Sequence, residues 1–380
     1  MYYDRRQKKN KKATKAPARN TRSGSVVISK KPQVKKKPVK KPLPRKKTPV
    51  KNTKRSAAGQ NEQRTQNSHP LMKFICFVLL IVILVPVALY LLPESALNHR
   101  SAEDYGKGFG LPDGCTNVLL IGLDKNNTSS SRSDTMVILS VGGGRVCLTS
   151  LMRDTGVSIP GRDGTHRLNA AYNYGGAELL LKTINTNFGF DLTSYIAVDY
   201  ESFPPLIDIL GGVDISGISA AEVREINNNV YDVLRRRYDA GHLTQTEATA
   251  QYNAEKLSGS GDMHLDGLQA LGYARIRKTD SDYGRTNRQR KVLSAALGKL
   301  KASIKNPVRL VRFAVKGLSG IETNMSVFEL IALGEKALLG GSVAQLRLPA
   351  DGTFKDEGGM FFNVDYQANY KKFREFVYGR

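Results

Sequence analysis

The sequence predicts an α/β protein: a layered α-β-α domain with a mixed central sheet, preceded by one transmembrane helix and a disordered basic tail. Three observations carry this. Strand-like and helical segments alternate through the later part of the chain. A run of 19 uncharged residues, Phe74 to Leu92, reads FICFVLLIVILVPVALYLL. Ahead of it, residues 1–70 hold 23 Lys/Arg against two acids, a net +21 within a chain total of +24.

Residues 1–72 form the tail. It is rich in Lys, Pro, Ser and Thr, and its large apolar residues are too few to bury a core, so disorder is expected. Such a tail can be a solvated topology signal, or be drawn to anionic lipid headgroups or nucleic acid. Residues 73–92 decide the topology. The run is long enough to span a hydrocarbon core as a helix, with Pro86 as a tolerable kink. It starts 73 residues in and lacks a small-x-small cleavage site, so it reads as a signal anchor rather than a cleaved leader. By the positive-inside rule the tail lies in the cytoplasm and the rest outside. Nucleic acid is therefore not expected for the folded part. Residues 93–112 read as a linker, and residues 113–380 as the extracytoplasmic domain.

Of the three cysteines, Cys76 falls in the span. Cys115 and Cys147 are external and could pair, although Cys147 sits in an apolar run and fits a small core residue. No Cys/His spacing points to zinc.

The domain opens with NVLLIGLD (117–124), TMVILSV (135–141) and RVCLTSLMRD (145–154), three strands separated by a polar loop and a triple glycine. An antiparallel meander would bring Asp124, Arg132, Asp134 and Arg153 to one sheet edge. Two carboxylates there suit a hard divalent cation, Mg²⁺ or Mn²⁺, and two arginines suit phosphate. Next, residues 165–188 place His166 and Arg167 in a loop before an amphipathic helix with Leu180, Leu181, Ile184 and Phe188 inward. His166 is either a general base or a surface residue. Residues 194–200 read as a strand, and 202–215 as a helix, a glycine turn and a strand. Residues 219–262 are polar and look like an exposed excursion. After Pro307 come helices over 308–317 and 326–338 and a last strand, 342–349.

The densest chemistry lies in Ala270–Gln289, ALGYARIRKTDSDYGRTNRQ. If YARIR is extended, Tyr273, Arg275 and Arg277 share one face. A helix is expected from about Arg285, with Val292, Ala296 and Leu300 buried and Arg285, Arg288 and Gln289 on one side. Arginine in a first helical turn opposes the helix dipole unless an anion sits there. Arg275, Arg277 and Arg285 together suit a phosphate or pyrophosphate, or else a salt-bridge network with Asp280 and Asp282.

In order, NVLLIGLD, RSDTM, SLMRDT, HRLNAAYNYGG, VDYESF and LDGLQALGYARIRKTDSDYGRTNRQ after an anchor resemble the LytR–CpsA–Psr family of cell-wall glycopolymer transferases. The resemblance covers roughly residues 115–300. It implies an enzyme that moves a teichoic-acid- or capsule-type polymer from a polyprenyl-pyrophosphate carrier to peptidoglycan, with Mg²⁺ and an apolar pocket for the lipid. Matched motif by motif, it implies Asp124 and Asp134 as metal acids. Arg132, Arg153, Arg167, Arg275, Arg277, Arg285 and Gln289 would bind pyrophosphate. Asp282, Arg285 and Arg153 would be the catalytic groups, with Asp282 as base or orienter. The lipid pocket is expected beside Arg275 and Arg285, walled by Leu180, Leu181 and Ile184, by Leu206, Ile207 and Leu210, and by Phe328, Ile331 and Leu333. Three other readings share some of these features: a pyrophosphatase on the same carrier, a membrane-tethered regulator, and a DNA-binding regulator favoured only by the tail.

Overall fold

A computed structural model describes residues 98–99, 108–125, 131–277 and 282–379. The tail, the 73–92 segment and most of the linker lie outside the described residues. Among the described residues no helix is long and apolar enough to cross a membrane.

In chain order the elements are β1 (Asn98–His99), β2 (Cys115–Lys125), β3 (Ser131–Gly142), β4 (Arg145–Leu151), β5 (Gly156–Ser158), β6 (Thr165–Arg167), α1 (Ala170–Phe188), β7 (Ser194–Asp199), α2 (Phe203–Ile209) and β8 (Val213–Ile218). Then follow α3 (Ala220–Asp239), α4 (Gln245–Glu255), β9 (Gly261–Leu265), α5 (Gly267–Ala274), α6 (Asp282–Ala302), α7 (Pro307–Gly320), β10 (Ile321–Thr323), α8 (Val327–Leu339), β11 (Val343–Leu348), β12 (Lys355–Glu357), β13 (Met360–Phe362) and α9 (Tyr366–Tyr378).

The central sheet is mixed, in the order β1-β10-β7-β2-β3-β4-β11. The β2–β3–β4 meander is antiparallel as its short connections dictate, while β7 lies parallel to β2 and β11 parallel to β4. Side chains alternate across it. One face carries Leu119, Ile121, Ile138 and Tyr195, covered by Leu180, Leu181, Ile184 and Phe188 of α1 and Phe373 and Val377 of α9. The other carries Val118, Val137, Leu139, Val146 and Leu148 against Leu333 and Ala337 of α8, with Leu293 and Leu297 of α6 alongside. On that second face Leu120 and Ile196 stand on the two middle strands yet are only half-buried.

A second core joins the helices. Residues 219–262 are an exposed excursion only in their second half: α4 buries none of its residues, whereas α3 does. Val223, Ile226, Val230, Val233 and Leu234 form a buried stripe on α3, packed on Leu268, Leu271 and Tyr273 of α5 and Val292 of α6. Both α3 and α4 start with reciprocal capping boxes, Ser219 with Glu222 and Thr244 with Glu247.

YARIR is not extended. Tyr273 and Ala274 end α5, and Arg275 is its C-cap, with its amide donating to the Leu271 carbonyl at 3.1 Å. The alternation is real but only five residues long, and the apolar contacts of Leu268, Leu271 and Tyr273 with the second core outweigh it. Gly267 shows how closely α5 is packed: a Cβ there would lie 2.1 Å from the Pro204 carbonyl oxygen of α2.

Two further expectations change, and one alternative left open is decided. His166 and Arg167 lie on β6, paired with β5, rather than in a loop. The chain does not close at β11 but continues into the β12–β13 hairpin and α9. Cys115 and Cys147 are both free. They stand on β2 and β4 with β3 between, and two strand spacings are about 9.5 Å, beyond the Cα separation a disulfide spans.

Candidate active site

The meander's edge is shaped by a bulge. Gly122 pairs with Thr135 and Leu123 with Ser133, so Asp134 is the extra residue on β3. A bulge turns its residue out of the strict alternation, and here Asp134 faces the same cleft as Asp124 at the end of β2. The Asp134 side chain is 13% exposed and both its oxygens are engaged. Arg153 donates from Nη1 to Oδ1 at 3.3 Å, and Arg277 from Nη2 to Oδ2 at 2.6 Å. Arg285 donates from Nη2 to the Asp134 carbonyl at 3.4 Å. Arg236 of α3 donates to Asp124 Oδ1 at 3.0 Å.

Buried Asp154 is a third acid. It accepts from Arg153 Nε at 3.0 Å and pairs with Arg167 Nε at 3.4 Å. It therefore holds two arginines in place at the cleft wall.

The site has two compartments that share Asp124, Asp134 and Arg277. The larger, about 690 Å³, is also lined by Arg153, Asp154, Arg167, Asn169, Asn173 and Tyr174. The smaller, about 120 Å³, adds Tyr200, Arg236, Arg275, Arg285 and Gln289. The guanidinium of Arg275 lies over the Tyr200 ring, 4.6 Å from its centroid, and Arg275 Nη1 is buried with no hydrogen-bond partner among the described residues. Burial, and then the charge of Asp134, raise the Tyr200 phenol above its ordinary pKa, so it keeps its proton and can donate.

Six arginines face three aspartates across the two compartments, a surplus of three positive charges. Such a cleft takes an anion first. Among the described residues no group of three or more His, Cys, Asp or Glu is placed to hold a metal ion. Asp124 and Asp134 are nonetheless two hard oxygen donors on one wall. They fit a cation that arrives with phosphate oxygens rather than one held by the protein alone.

The structure thus brings together Asp124, Asp134, Arg153, Arg167, Arg275, Arg277, Arg285 and Gln289. The side chains of Arg132 and Asp282 lie outside the described residues. Arg288 departs from the grouping expected of it. It is buried against Glu222 and the Ile276 carbonyl, each 3.2 Å away, and ties α6 to the second core. His166 does not line the cleft, and its Nε2 is 2.9 Å from the Asp163 carbonyl. Asp154, Arg236, Tyr200, Asn169, Asn173 and Tyr174 were not foreseen. Asp154 had a signal, as an acid directly after Arg153. Arg236 had none, because it reaches Asp124 across 112 positions.

The expected lipid walls divide. Leu180, Leu181 and Ile184 are wholly buried core on the opposite sheet face, and Ile207 and Leu210 belong to the second core. Phe328 is 66% exposed. Leu333 is buried on the second sheet face, whereas Leu206 and Ile331 are half-buried. Also half-buried are Leu120, Ile196, Leu293, Leu297 and Leu330, between the second sheet face and helices α6 and α8.

The LytR_cpsA_psr family model matches residues 94–375. The chain belongs to the LytR–CpsA–Psr family. Among curated relatives in this family it is 36% identical over 191 residues to the TagU polyisoprenyl-teichoic acid–peptidoglycan teichoic acid transferase of Oceanobacillus iheyensis, covering 48% of this chain and 50% of that protein. It is 30% identical over 259 residues to TagU of Enterococcus faecalis, covering 66% and 75%. The first of these matches spans only half of the relative's length. In fold the chain is similar to TagT bound to LI-WTA, with a TM-score of 0.55 at 23% identity, over 74% of this chain and 98% of that one. The mixed α/β architecture is thus that of solved LytR–CpsA–Psr proteins.

Proposed function

We propose that the protein is a phosphotransferase that attaches a teichoic-acid-type glycopolymer, carried on polyprenyl pyrophosphate, to peptidoglycan. The observation that carries this is the two-compartment basic cleft, with its surplus of three positive charges, set at the edge of a sheet whose second face keeps half-buried leucine and isoleucine. A pyrophosphate suits the first feature and a prenyl chain the second. The relatives' names support the reaction. A structure of TagT with bound octaprenyl pyrophosphate, similar in fold with a TM-score of 0.50, supports the carrier.

In this reading an acceptor hydroxyl attacks the polymer-side phosphorus. A new P–O bond forms as the bond to the bridging oxygen breaks, and polyprenyl phosphate leaves. Arg275, Arg277 and Arg285 stabilise the charge that moves onto the leaving phosphate, and Tyr200 donates to it. Arg153 and Arg167, held by Asp154, orient the phosphate that stays with the polymer. Asp282 accepts the hydroxyl proton. Mg²⁺ or Mn²⁺ at Asp124 and Asp134 would supply further charge compensation to the phosphate oxygens. Residues 73–92 anchor the domain outside the membrane with residues 1–72 inside, a topology supported by the uncharged run and the basic tail before it.

Mass spectrometry of lipid that travels with the purified protein tests the carrier. Polyprenyl phosphate or pyrophosphate is expected, at reduced occupancy in Arg285→Ala. Absence of any prenyl lipid, together with turnover of a soluble phosphate ester, would overturn the reading. Release of polymer without attachment to added peptidoglycan would make the protein a hydrolase at the same site.

A further inference from the structure

Helix α7 carries apolar side chains on two opposite faces. Asn306 caps its N-terminus, accepting from the Arg309 amide at 3.1 Å, and Pro307 stands in its first turn. The inner face is accounted for. Arg309 donates to the Leu210 carbonyl at 3.3 Å, Phe313 joins the second core, and Gly317 lies against Leu206 of α2. The opposite face is Val308, Arg312, Val315 and Ser319, at helical spacings of four and three, and all four are exposed. Val308 is 66% exposed and Val315 43%, with Ile304 just before the helix at 53%.

A single exposed valine is ordinary; an apolar stripe set among cations is not. Lys305, Arg312 and Lys316 are exposed on or beside this one. No acid occurs between Asp282 and Glu322, so no neighbour in the chain offsets their charge. The place of the helix in the fold matters as much. Strand β1 pairs in parallel with β10, Asn98 opposite Glu322, and α7 ends at Gly320. In the topology proposed above the chain leaves the membrane at Leu92, six residues before Asn98. Six residues reach at most about 22 Å, roughly the length of α7 itself. The end of α7 therefore stands no farther than that from the point where the chain emerges.

We propose that the Val308–Arg312–Val315 face of α7, with Ile304, Lys305 and Lys316, docks on anionic phospholipid headgroups at the outer surface of the membrane. The two valines and Ile304 enter the boundary between headgroups and acyl chains, and the cations stay among the phosphates. The docking goes beyond the transferase reading and rests only on its membrane anchor. Charge complementarity selects the occupant, since cations without acidic neighbours suit a surface dense in phosphate. The anchor keeps the local concentration of that surface high, so a small patch suffices. Docking at α7 turns the β1–β10 edge of the sheet toward the bilayer. The β11 edge, six strand spacings or about 29 Å away, is turned from it.

The chain has no Trp, so one introduced tryptophan reports alone. Full-length Val315→Trp is placed in nanodiscs of phosphatidylglycerol and phosphatidylcholine, with and without bromine near the top of the acyl chains. A docked apolar face sits about 5–10 Å into the boundary, so brominated lipid is expected to quench at least about half of a blue-shifted emission. Val308→Trp should behave alike. Leu339→Trp, 76% exposed at the end of α8 that leads into β11, should emit as in water and stay unquenched. Quenching of Val315→Trp should fall by about half or more when Arg312→Glu and Lys316→Glu are added, in discs of phosphatidylcholine alone, and in about 1 M salt, where the screening length is about 3 Å. Water-like, unquenched emission from both Val308→Trp and Val315→Trp overturns the docking and leaves the anchor standing. Equal quenching in phosphatidylcholine alone also overturns it, by removing the anionic headgroup from the contact. A blue shift without quenching by lipid puts a second copy of the chain on this face and overturns it as well. If the wild-type chain does not co-elute with the discs, the anchor reading fails first and the docking falls with it.

Discussion

Arg277 donates to Asp134 at 2.6 Å across 143 positions of sequence, joining the segment after α5 to the bulge on β3. The contact makes Asp134 the meeting point of the sheet and the helical core. Replacing Asp134 with Ala should release both Arg277 and Arg153 and abolish the Mg²⁺-dependent turnover proposed above. A fall in kcat/KM of at least about a hundredfold is expected, roughly 2.7 kcal/mol of lost transition-state stabilisation, with an unchanged circular dichroism spectrum. Full turnover by the variant in the presence of chelator would remove the metal from the mechanism.

Arg285 is 3% exposed and lines the smaller compartment with Arg275. Arg285→Lys keeps the charge but loses the fork that can take two phosphate oxygens at once. A drop of at least about tenfold in kcat/KM is expected. Unchanged steady-state kinetics would reduce Arg285 to a packing residue.

Burial, with the hydrogen bond that protonated Glu255 donates to Asp266 next and the charges of Asp266 and Asp208 behind it, raises the Glu255 carboxyl from its ordinary value to about 8. Its folded pKa is therefore above the unfolded one, and the folded protein binds the extra proton between roughly pH 4.5 and 8. The group's contribution to stability is greatest below that window and is lost as pH rises through it. Melting temperature should fall from pH 5 to pH 8 and level off above. Glu255→Gln should flatten this slope and melt higher than wild type at pH 8. An identical slope in the variant would assign the pH dependence elsewhere.

Gly267 cannot take a side chain without moving α2 away from α5. Gly267→Ala should cost about 1–3 kcal/mol, as overpacking does, and chemical denaturation should report it as a lower midpoint. Since α5 ends at Arg275, loss of activity is expected alongside. A variant with an unchanged midpoint would mean the α2–α5 contact is soft.

The topology is open to labelling on intact cells. A cysteine placed at Ser101 should react with an impermeant thiol reagent, and one at Ser23 should not. The reverse pattern would put the basic tail outside. Deleting residues 1–70 should leave the turnover of the detergent-solubilised protein within about twofold, because in the proposed topology the tail lies on the other side of the membrane and takes no part in the cleft.

Much of the sheet was legible in the sequence because its strands are local. The triple glycine and the polar loop set the meander, and the meander alone predicts that Asp124, Asp134 and Arg153 converge. The bulge that turns Asp134 toward Asp124 was not legible, since one extra residue leaves no mark in an alternating pattern. The helical half was harder. On α3 a stripe of valine, isoleucine and leucine is diluted by Arg, Asn and Glu, so its mean polarity hides a buried face. On α5 the pattern failed for the opposite reason: nearly every residue is buried, which erases helical periodicity. Arg236 and Tyr200 belong to the site only through contacts between elements far apart in the chain.

The cleft is assembled from two separate cores. Asp124, Asp134, Arg153 and Asp154 are set by the sheet, while Arg236 lies on α3 and Arg275 and Arg277 directly follow α5, two helices that pack on one another. Ion pairs tie the halves together across the opening. A bound pyrophosphate would compete for those arginines and could replace direct acid–arginine ties with phosphate bridges. The substrate would then act as a suture. Binding would tighten one folding unit against the other, and product release would require that seam to loosen, so the rate of turnover could be governed as much by how the halves part as by the bond that breaks.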